Sequence, residues 1–180
     1  LTVLDFCLFN VESISVPDSV IIVKKNVFSY QKNVEFSNQS KLKIIEKESF
    51  NSPFLESITL PSSVVGIDDE WIWNCISRRI NKLQVLQNEE KNISIYNNDF
   101  IIGKSDLNNN DDDAFDTLIF ARQDIEEVII PPFIKQIKYC AFLNCQKIKK
   151  FFISENSKLN EIFSIGYSSI ESIFIPPKVT

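Results

Sequence analysis

Histidine is absent from the 180-residue sequence, and this absence limits the chemistry that the chain can perform near neutral pH. Without an imidazole, the chain cannot form a Ser-His-Asp or Cys-His nucleophilic system or an HExxH zinc site. The three glycines, Gly66, Gly103 and Gly166, lie far apart. Their spacing is therefore incompatible with a phosphate-binding loop and with a dinucleotide-binding fingerprint.

Two acidic clusters are the remaining candidates for acid–base catalysis. Asp68-Asp69-Glu70 and Glu126-Glu127 supply carboxylates, which glycoside hydrolysis uses in facing pairs. Neighbouring side chains on a coil point apart, so we do not expect either cluster to form such a pair. The sequence therefore predicts a protein without enzymatic activity and without a cofactor.

A run of alternating acidic and amide residues resembles the start of a calcium-binding loop. The run consists of Asp106, Asn108, Asn110 and Asp112. Such a loop needs glycine at its sixth place and glutamate at its twelfth, but these places hold Asp111 and Thr117. We interpret the run as a solvated loop tip and expect no metal site.

The cysteines are few and widely spaced, at Cys7, Cys75, Cys140 and Cys145. They form no CxxC pair, which argues against zinc binding and against redox chemistry. Cys75 and Cys145 occupy the same position of the repeat described below, where other copies carry different residues. We therefore expect these thiols to be small buried fillers.

Charge and hydropathy exclude two classes of partner. The formal net charge is −5, and no basic stretch exists that would follow a phosphate backbone, so we expect no nucleic-acid partner. No uncharged apolar run reaches the roughly 18 residues needed to cross a bilayer. We therefore expect no membrane segment in these residues.

The elements that position all side chains follow from one repeating pattern. In residues 125–145, apolar residues stand at positions 1, 4, 6, 10, 13, 17 and 18 of a unit, with proline at 7 and cysteine at 21. The same slots recur in residues 11–30, 55–75 and 170–179. A second type of coil, marked by Ser-Lys-Leu, alternates with the first at residues 34–50 and 148–167. A period of roughly 20 to 50 residues is the signature of stacked repeats.

The pattern predicts one short strand in each coil. Apolar residues at positions 1, 4 and 6 face inward, and the proline at position 7 ends the strand because it has no amide hydrogen. Strands that all run the same way form a parallel sheet with one concave face, while positions 17 and 18 lie on short helical or 3-10 turns at the convex side. Opposite charges at position 2, such as Lys32 and Glu56, favour correct stacking. We expect residues 1–180 to form a single solenoid, with further repeats at both ends.

The repeat is interrupted at residues 86–124, which we predict to be an inserted β flap. Its strand-like runs are ISIY at 93–96, FIIGK at 100–104 and TLIFA at 117–121, with a tight turn at 97–99. The tip at residues 105–116 is rich in Asp and Asn. We predict that this tip is mobile, because it carries too few apolar groups to pack.

The consensus L-x-x-I-x-I-P-x-x-V-x-x-I-x-x-x-A-F-x-x-C resembles the BspA-like leucine-rich repeat, also called the Treponema-type repeat. The matching stretches are VESISVPDSVIIV, LESITLPSSVVGI and IEEVIIPPFIKQIKYCAFLNC, and the Ser-Lys-Leu coils are similar to a variant of large protozoan surface-antigen families. The resemblance implies a leucine-rich-repeat solenoid in an adhesin or antigen that binds host or cell-surface proteins. It also implies a location at the cell surface or outside the cell. The alternative is an intracellular scaffold or spacer whose function lies outside these residues.

Position 5 of each strand faces outward on the predicted concave side. From the first strand to the last, this position holds Ser15, Glu35, Thr59, Gln84, Ile129, Phe152 and Phe174. Adjacent exposed aromatic side chains often mark a binding surface. We therefore predict that Ile129, Phe152 and Phe174, flanked by Glu127 and Lys150, bind a protein ligand, with the insertion as a second contact. The alternatives are that the insertion covers these residues, or that strands simply favour Phe and Ile.

Two Asn-x-Ser triplets fit the acceptor pattern for N-glycosylation, beginning at Asn38 and Asn92. Glycosylation requires passage through a secretory pathway. The two asparagines are therefore predicted sites only for a secreted protein.

Overall fold

The computed structural model describes residues 2–5, 11–73, 80–108, 114–160, 162 and 170–179. Over these ranges the backbone winds into a solenoid of about 7 turns, and equivalent strands of successive coils run parallel. The predicted fold class, a leucine-rich-repeat solenoid with one parallel front strand per coil, is confirmed.

The front wall of the solenoid carries the strands that the repeat predicts. They are β2 (Ser13–Ser15), β4 (Asn33–Glu35), β6 (Ser57–Pro61), β8 (Lys82–Leu86), β12 (Glu127–Ile130), β14 (Lys150–Ile153) and β15 (Ser172–Phe174). Position 4 of one coil pairs with position 4 of the next, as in Ile58 with Leu83 and Val128 with Phe151. The hydrogen-bonded ladder divides into three sets, β2–β4, β6–β8 and β12–β14–β15. The front wall is therefore not the single continuous sheet that the repeat predicts.

The back wall also contains strands, which the sequence pattern does not predict. Two-residue strands β1 (Val3–Leu4), β3 (Ile22–Val23), β5 (Ile44–Ile45) and β7 (Gly66–Ile67) form a parallel sheet. The predicted turns at positions 17 and 18 are single turns with 3-10-type bonds, from the Ala141 amide to the Lys138 carbonyl at 3.0 Å and from the Leu143 amide to the Cys140 carbonyl at 3.1 Å. No α-helix occurs in the described ranges. Asn26 and Glu48 adopt φ angles of 59° and 55°. This left-handed conformation reverses the chain after the back strand and prevents a right-handed helix from forming there.

The interrupted coil contains three further strands at the runs noted in the sequence. They are β9 (Ile93–Tyr96), β10 (Phe100–Gly103) and β11 (Thr117–Ala121), in an antiparallel sheet. Asn97 and Asn98 join β9 to β10 with φ angles of 51° and 60°, as a tight hairpin turn requires. On its other edge, β11 pairs parallel with β13 (Gln136–Ile137). Strand β11 therefore takes the back-wall place of its own coil.

Two strands of the predicted flap, β10 and β11, are packed between the coils of the solenoid. Every side chain of β10 and β11 is buried. Ile101 and Ile119 join the apolar cluster that precedes the insertion, whereas Phe100 and Leu118 join the one that follows it. The interior predicted to be continuous is thus divided by these strands. Burial on both faces also explains why they are uniformly apolar instead of alternating.

A column of aromatic rings runs through the first apolar cluster. Ring centroids are 4.9 Å apart between Phe28 and Phe50 and 5.3 Å apart between Phe50 and Trp71. Phe120 of β11 continues the column, 5.7 Å from Trp71. Tilted and edge-to-face contacts of this kind stabilise the packing beyond the burial of apolar area.

The predicted ladder of opposite charges at position 2 is formed in part, by two ion pairs. The ammonium of Lys32 lies 3.6 Å from the Glu56 carboxylate, and that of Lys149 lies 3.8 Å from Glu126. A similar pair, Lys24 and Glu46 at 2.7 Å, joins two coils on the back wall. These contacts link neighbouring coils in register, as the sequence predicts.

Candidate functional site

The structure brings Ile129, Phe152 and Phe174 together in one row on the front wall, which we call the front strip. The three residues are direct partners in the parallel register of β12, β14 and β15. Their exposed fractions are 57%, 43% and 41%. The rings of Phe152 and Phe174 are stacked, with centroids 5.1 Å apart and planes inclined by 18°. The alternate residues Val128 and Phe151 are buried, whereas Ile173 of β15 is 48% exposed. The strip is therefore presented by a packed sheet at β12 and β14.

A second, polar row lies beside the front strip. Glu127 pairs in register with Lys150, and Lys150 with Ser172. The Glu127 carboxylate lies 3.8 Å from the Lys150 ammonium, and both side chains are more than half exposed. Such an exposed pair adds little stability. The two rows together line a shallow depression of about 380 Å³, which offers apolar contact and both signs of charge.

The front wall is polar in the coils that precede the insertion. Ser15 donates a hydrogen bond from its hydroxyl to the Glu35 carboxylate at 3.2 Å, and Thr59 pairs in register with Gln84. The change from polar to apolar residues at position 5 therefore coincides with the internal strands β10 and β11. An apolar partner surface would fit only the second part of the front wall.

The insertion does not cover the front strip. Its strands β10 and β11 are buried inside the solenoid, and β11 is bonded to the back-wall strand β13. The strip itself stays exposed. The alternative that the insertion folds over the strip is therefore wrong for the described residues. Outside the strands, the insertion exposes residues 105–108 to solvent.

One end of the expected mobile tip is anchored. Asp116 is 5% exposed and accepts hydrogen bonds from the Ser105 amide at 2.9 Å and the Ser105 hydroxyl at 2.7 Å. The Lys135 ammonium lies 2.9 Å from the same carboxylate. Burial acts to raise the pKa of Asp116, but the hydrogen bonds from Lys135 and Ser105 outweigh it and hold the pKa below 3.8. The expectation that this segment is too polar to pack therefore fails at Asp116.

The calcium-like run does not form a ligand set in the residues that can be inspected. Asp106 accepts a hydrogen bond from the backbone amide of Asn108 at 2.9 Å, which closes its own turn. Asn110 and Asp112 lie outside the described residues. Across the described ranges, no group of three His, Cys, Asp or Glu side chains is placed to hold a metal ion.

The two acidic clusters face lysines. Asp69 lies 2.9 Å from the Lys138 ammonium, and Glu70 forms an ion pair with Lys47. Glu126 is paired with Lys149. Each of these carboxylates therefore lies against an ammonium group instead of a second carboxylate. The geometry therefore gives no support for a pair of catalytic carboxylates at these positions.

The described thiols are buried, as the repeat predicts. Cys140 is 2% exposed and Cys145 is 1% exposed. Burial, with a smaller contribution from neighbouring acids, raises the pKa of Cys140 to about 11 and that of Cys145 to about 12. Because the thiolate is the reactive form, both thiols are inert near neutral pH. Cys7 and Cys75 lie outside the described residues.

The two asparagines predicted as glycosylation sites differ in their surroundings. Asn38 is exposed in a turn. The side-chain amide of Asn92 donates to the Ser63 carbonyl at 3.2 Å and to the Glu90 carboxylate at 3.4 Å. A glycan on Asn92 would replace one of the two hydrogens that form these bonds, so Asn38 is the more accessible of the two sites in the folded chain.

The sequence reasoning missed an aromatic pair on the back wall. The rings of Trp73 and Tyr139 lie parallel within 7°, with centroids 6.4 Å apart, and both residues are partly exposed. The spacing within a repeat gives no signal for this contact, because Trp73 and Tyr139 belong to different coils.

Comparisons with known proteins agree with this architecture. A family model described as "BspA type Leucine rich repeat region" matches six copies, over residues 5–116 and 113–180. A search among curated proteins finds no match. In the described part of the chain, no helix has the length and apolar character needed to cross a membrane.

Two crystal structures share the fold. One is a leucine rich cell surface protein from Faecalibacterium prausnitzii A2-165, with a TM-score of 0.68 and 16% identity, covering 94% of this chain and 42% of that one. The other is the pneumococcal vaccine antigen PcpA, with a TM-score of 0.68 and 24% identity, covering 94% of this chain and 40% of that one. The chain thus spans less than half the length of either protein. Because the family model covers nearly all of the sequence, the chain belongs to the BspA-type leucine-rich repeat family.

Proposed function

We propose that the chain is a non-enzymatic protein-binding module in which the front strip, with Glu127 and Lys150 beside it, contacts the partner. The observation that carries the proposal is the register-matched row Ile129, Phe152 and Phe174, of which each residue is at least 41% exposed. Single exposed apolar residues are common on protein surfaces. Adjacent aromatic side chains on a packed sheet, in contrast, are typical of binding hot spots because they lose little conformational entropy on binding.

A non-catalytic role is supported by the chemistry of the chain. The sequence has no histidine, and the thiols of Cys140 and Cys145 have pKa values of about 11 and 12. The carboxylates of Asp69 and Glu70 are paired with lysines. The two thiols thus lack the low pKa of an activated nucleophile, and the two carboxylates are engaged with ammonium groups.

A location at the cell surface or outside the cell is supported by the family and by one neighbour in fold. The neighbour from Faecalibacterium prausnitzii is named a cell surface protein, and PcpA is named a vaccine antigen. By analogy, we propose that this chain is part of a surface adhesin or antigen that binds host or cell-surface proteins. If the chain enters a secretory pathway that attaches N-glycans, Asn38 is the acceptor that we propose.

The location is tested by protease accessibility in intact cells that express the natural gene with an epitope tag. Loss of the tagged protein from intact cells supports the surface location. Protection in intact cells, with cleavage only after lysis, would contradict it and favour an intracellular scaffold or spacer.

The binding surface is tested with peptides selected from a random displayed library on the wild-type chain. The selected peptides are then measured on the double variant Phe152→Ser and Phe174→Ser. We expect most to lose at least tenfold in affinity, or about 1.4 kcal/mol. The matched control is Tyr30→Ser with Phe54→Ser, which removes two aromatic residues that are 58% and 47% exposed elsewhere. Equal binding to both double variants, with circular dichroism spectra like that of the wild type, would remove the strip from the proposal.

A further inference from the structure

A notch interrupts the back wall where β11 runs between β7 and β13. Strands β7 and β13 are each followed by an outward turn, at residues 69–70 and 139–140. Strand β11 instead stays extended from Thr117 to Ala121, with a shift of register against β10 at Ile119. The Lys138 amide bonds to the Leu118 carbonyl at 2.9 Å, and the Ala121 amide bonds to the Ala141 carbonyl at 2.7 Å. Between these two anchors β11 stays extended while residues 139–140 form a turn.

Side chains from the coils on either side meet across this notch. Asp69 and Lys138 form an ion pair at 2.9 Å, although the coil of β11 lies between them in the stack. The parallel rings of Trp73 and Tyr139 span the same interval, with centroids 6.4 Å apart. A cavity of about 780 Å³ lies at these contacts and is lined by residues of the coils before and after β11. This size is within the roughly 300 to 1,000 Å³ that sites for small ligands occupy.

The lining of the notch carries equal numbers of both charges. Its charged residues are Lys47, Lys135, Lys138, Asp68, Asp69 and Glu70. Lys47 is paired with Glu70, and Lys135 with the buried Asp116. A ligand with a net charge would therefore meet like charge at short distance. A neutral ligand with many hydroxyl groups can donate to the carboxylates and accept from the ammonium groups at the same time.

The notch also has an aromatic side. Tyr139 lines the cavity and is 47% exposed, and the stacked Trp73 is 40% exposed. The face of an aromatic ring carries partial negative charge. It therefore attracts the axial C–H groups on the flat side of a hexopyranose, whose hydroxyl groups stay free to bond sideways. An exposed aromatic face beside paired donors and acceptors is the combination that such a sugar needs.

We propose that the notch binds a neutral glycan through one hexopyranose unit, which stacks on Tyr139 and forms hydrogen bonds with Asp69 and Lys138. The notch lies on the back wall, whereas the front strip lies on the opposite wall of the solenoid. The glycan site is therefore independent of the protein-binding role proposed above. Failure of one proposal leaves the other unaffected.

The test uses saturation-transfer NMR on the full chain with six probes, the methyl α- and β-glycosides of glucose, galactose and mannose. We expect transfer to the ring C–H protons of at least one glycoside. Tyr139→Ala should reduce this transfer at least fivefold, whereas Tyr139→Phe, which keeps the ring, should retain it. The matched control is Tyr30→Ala, which removes an exposed tyrosine from another coil and should leave the transfer unchanged.

Three outcomes would overturn the proposal. The first is the absence of transfer to all six glycosides in the folded wild-type chain. The second is transfer that persists in Tyr139→Ala. The third is binding of heparin, an anionic glycan, that is lost on Lys138→Gln while the neutral glycosides give no signal. A folded Tyr139→Ala variant is verified by its circular dichroism spectrum and by retained binding of the peptides selected on the front strip.

Discussion

The indole of Trp71 and the ring of Phe120 meet edge to face, with centroids 5.7 Å apart and planes inclined by 75°. Trp71 belongs to a regular coil, whereas Phe120 lies in β11 of the interrupted one. In the aromatic column of the interior, Phe120 therefore occupies the position that a regular coil fills with its own aromatic residue. This contact joins β11 to the coil before it, and the pairing with β13 joins it to the coil after it.

Replacement of Phe120 with alanine should destabilise the whole solenoid. Phe120 is 0% exposed, and removal of a buried phenylalanine leaves a cavity that costs about 3 to 5 kcal/mol in the free energy of unfolding. Urea denaturation followed by circular dichroism measures the loss. The control, Phe174→Ala, removes a ring that is 41% exposed and should cost less than about 1 kcal/mol. Equal losses for the two variants would contradict the interior position of Phe120.

Gly66 and Gly103, the two glycines in the described strands, should respond differently to replacement by alanine. A Cβ atom on Gly103 in β10 would lie 2.7 Å from Cδ1 of the buried Ile119, whereas on Gly66 its nearest neighbour is 3.8 Å away. Gly103→Ala forces Ile119 to move in a packed interior, and we expect it to lower the free energy of unfolding by about 1 to 3 kcal/mol.

Gly66→Ala is the matched control, because the added methyl group meets ordinary contact distances there. We expect Gly66→Ala to change stability by less than about 0.5 kcal/mol, or to increase it slightly by restricting the unfolded chain. Thermal or urea denaturation of both variants measures their free energies of unfolding relative to the wild type. A Gly103→Ala variant as stable as the wild type would show that β10 is not enclosed on both faces.

The pH dependence of stability should contain a contribution from Asp116. Its pKa is held below 3.8 in the folded chain, and an exposed aspartate in the unfolded chain titrates near its ordinary value. The carboxylate therefore stabilises the fold above about pH 4, and this contribution is lost as the pH falls through the folded-state pKa. Asp116→Asn should lower the free energy of unfolding by about 1 to 3 kcal/mol at pH 7, and the difference should shrink towards pH 3.

The control for Asp116 is Glu155→Gln, which removes the charge of an exposed carboxylate. This variant should follow the wild type within about 0.5 kcal/mol at each pH. Urea denaturation at pH 7, 5 and 3 measures all three proteins. A constant difference between wild type and Asp116→Asn over this range would contradict the titration assigned to Asp116.

The sequence predicts the front wall well, because the two-residue period of a strand determines which side chains face outward. For this reason the sequence alone places Ile129, Phe152 and Phe174 in one row. The runs around Ile101 and Ile119 could be identified as strands, but not placed. A uniformly apolar run fits any strand that is covered on both faces. Periodicity alone therefore could not show whether the insertion lies over the solenoid or inside it.

The aromatic pair on the back wall was beyond the reach of sequence reasoning for a different reason. Trp73 and Tyr139 are 66 residues apart in the sequence and belong to coils that are not neighbours. They meet because their coils lie on either side of β11, which pairs with β13. A tertiary relationship of this kind is not encoded in the spacing of any one repeat.

The central claim, that the front strip contacts a protein partner, is tested most directly by site-specific photocrosslinking on intact cells. Benzoylphenylalanine is placed at Phe152 in one chain and at Tyr30, which is exposed on another coil, in a control chain. We predict that position 152 crosslinks to one defined surface protein, that excess unlabelled wild-type chain abolishes the product, and that position 30 gives none. Crosslinking of the same protein from position 30 alone, or no competed product from position 152 while the chain still binds the cells, would contradict the claim.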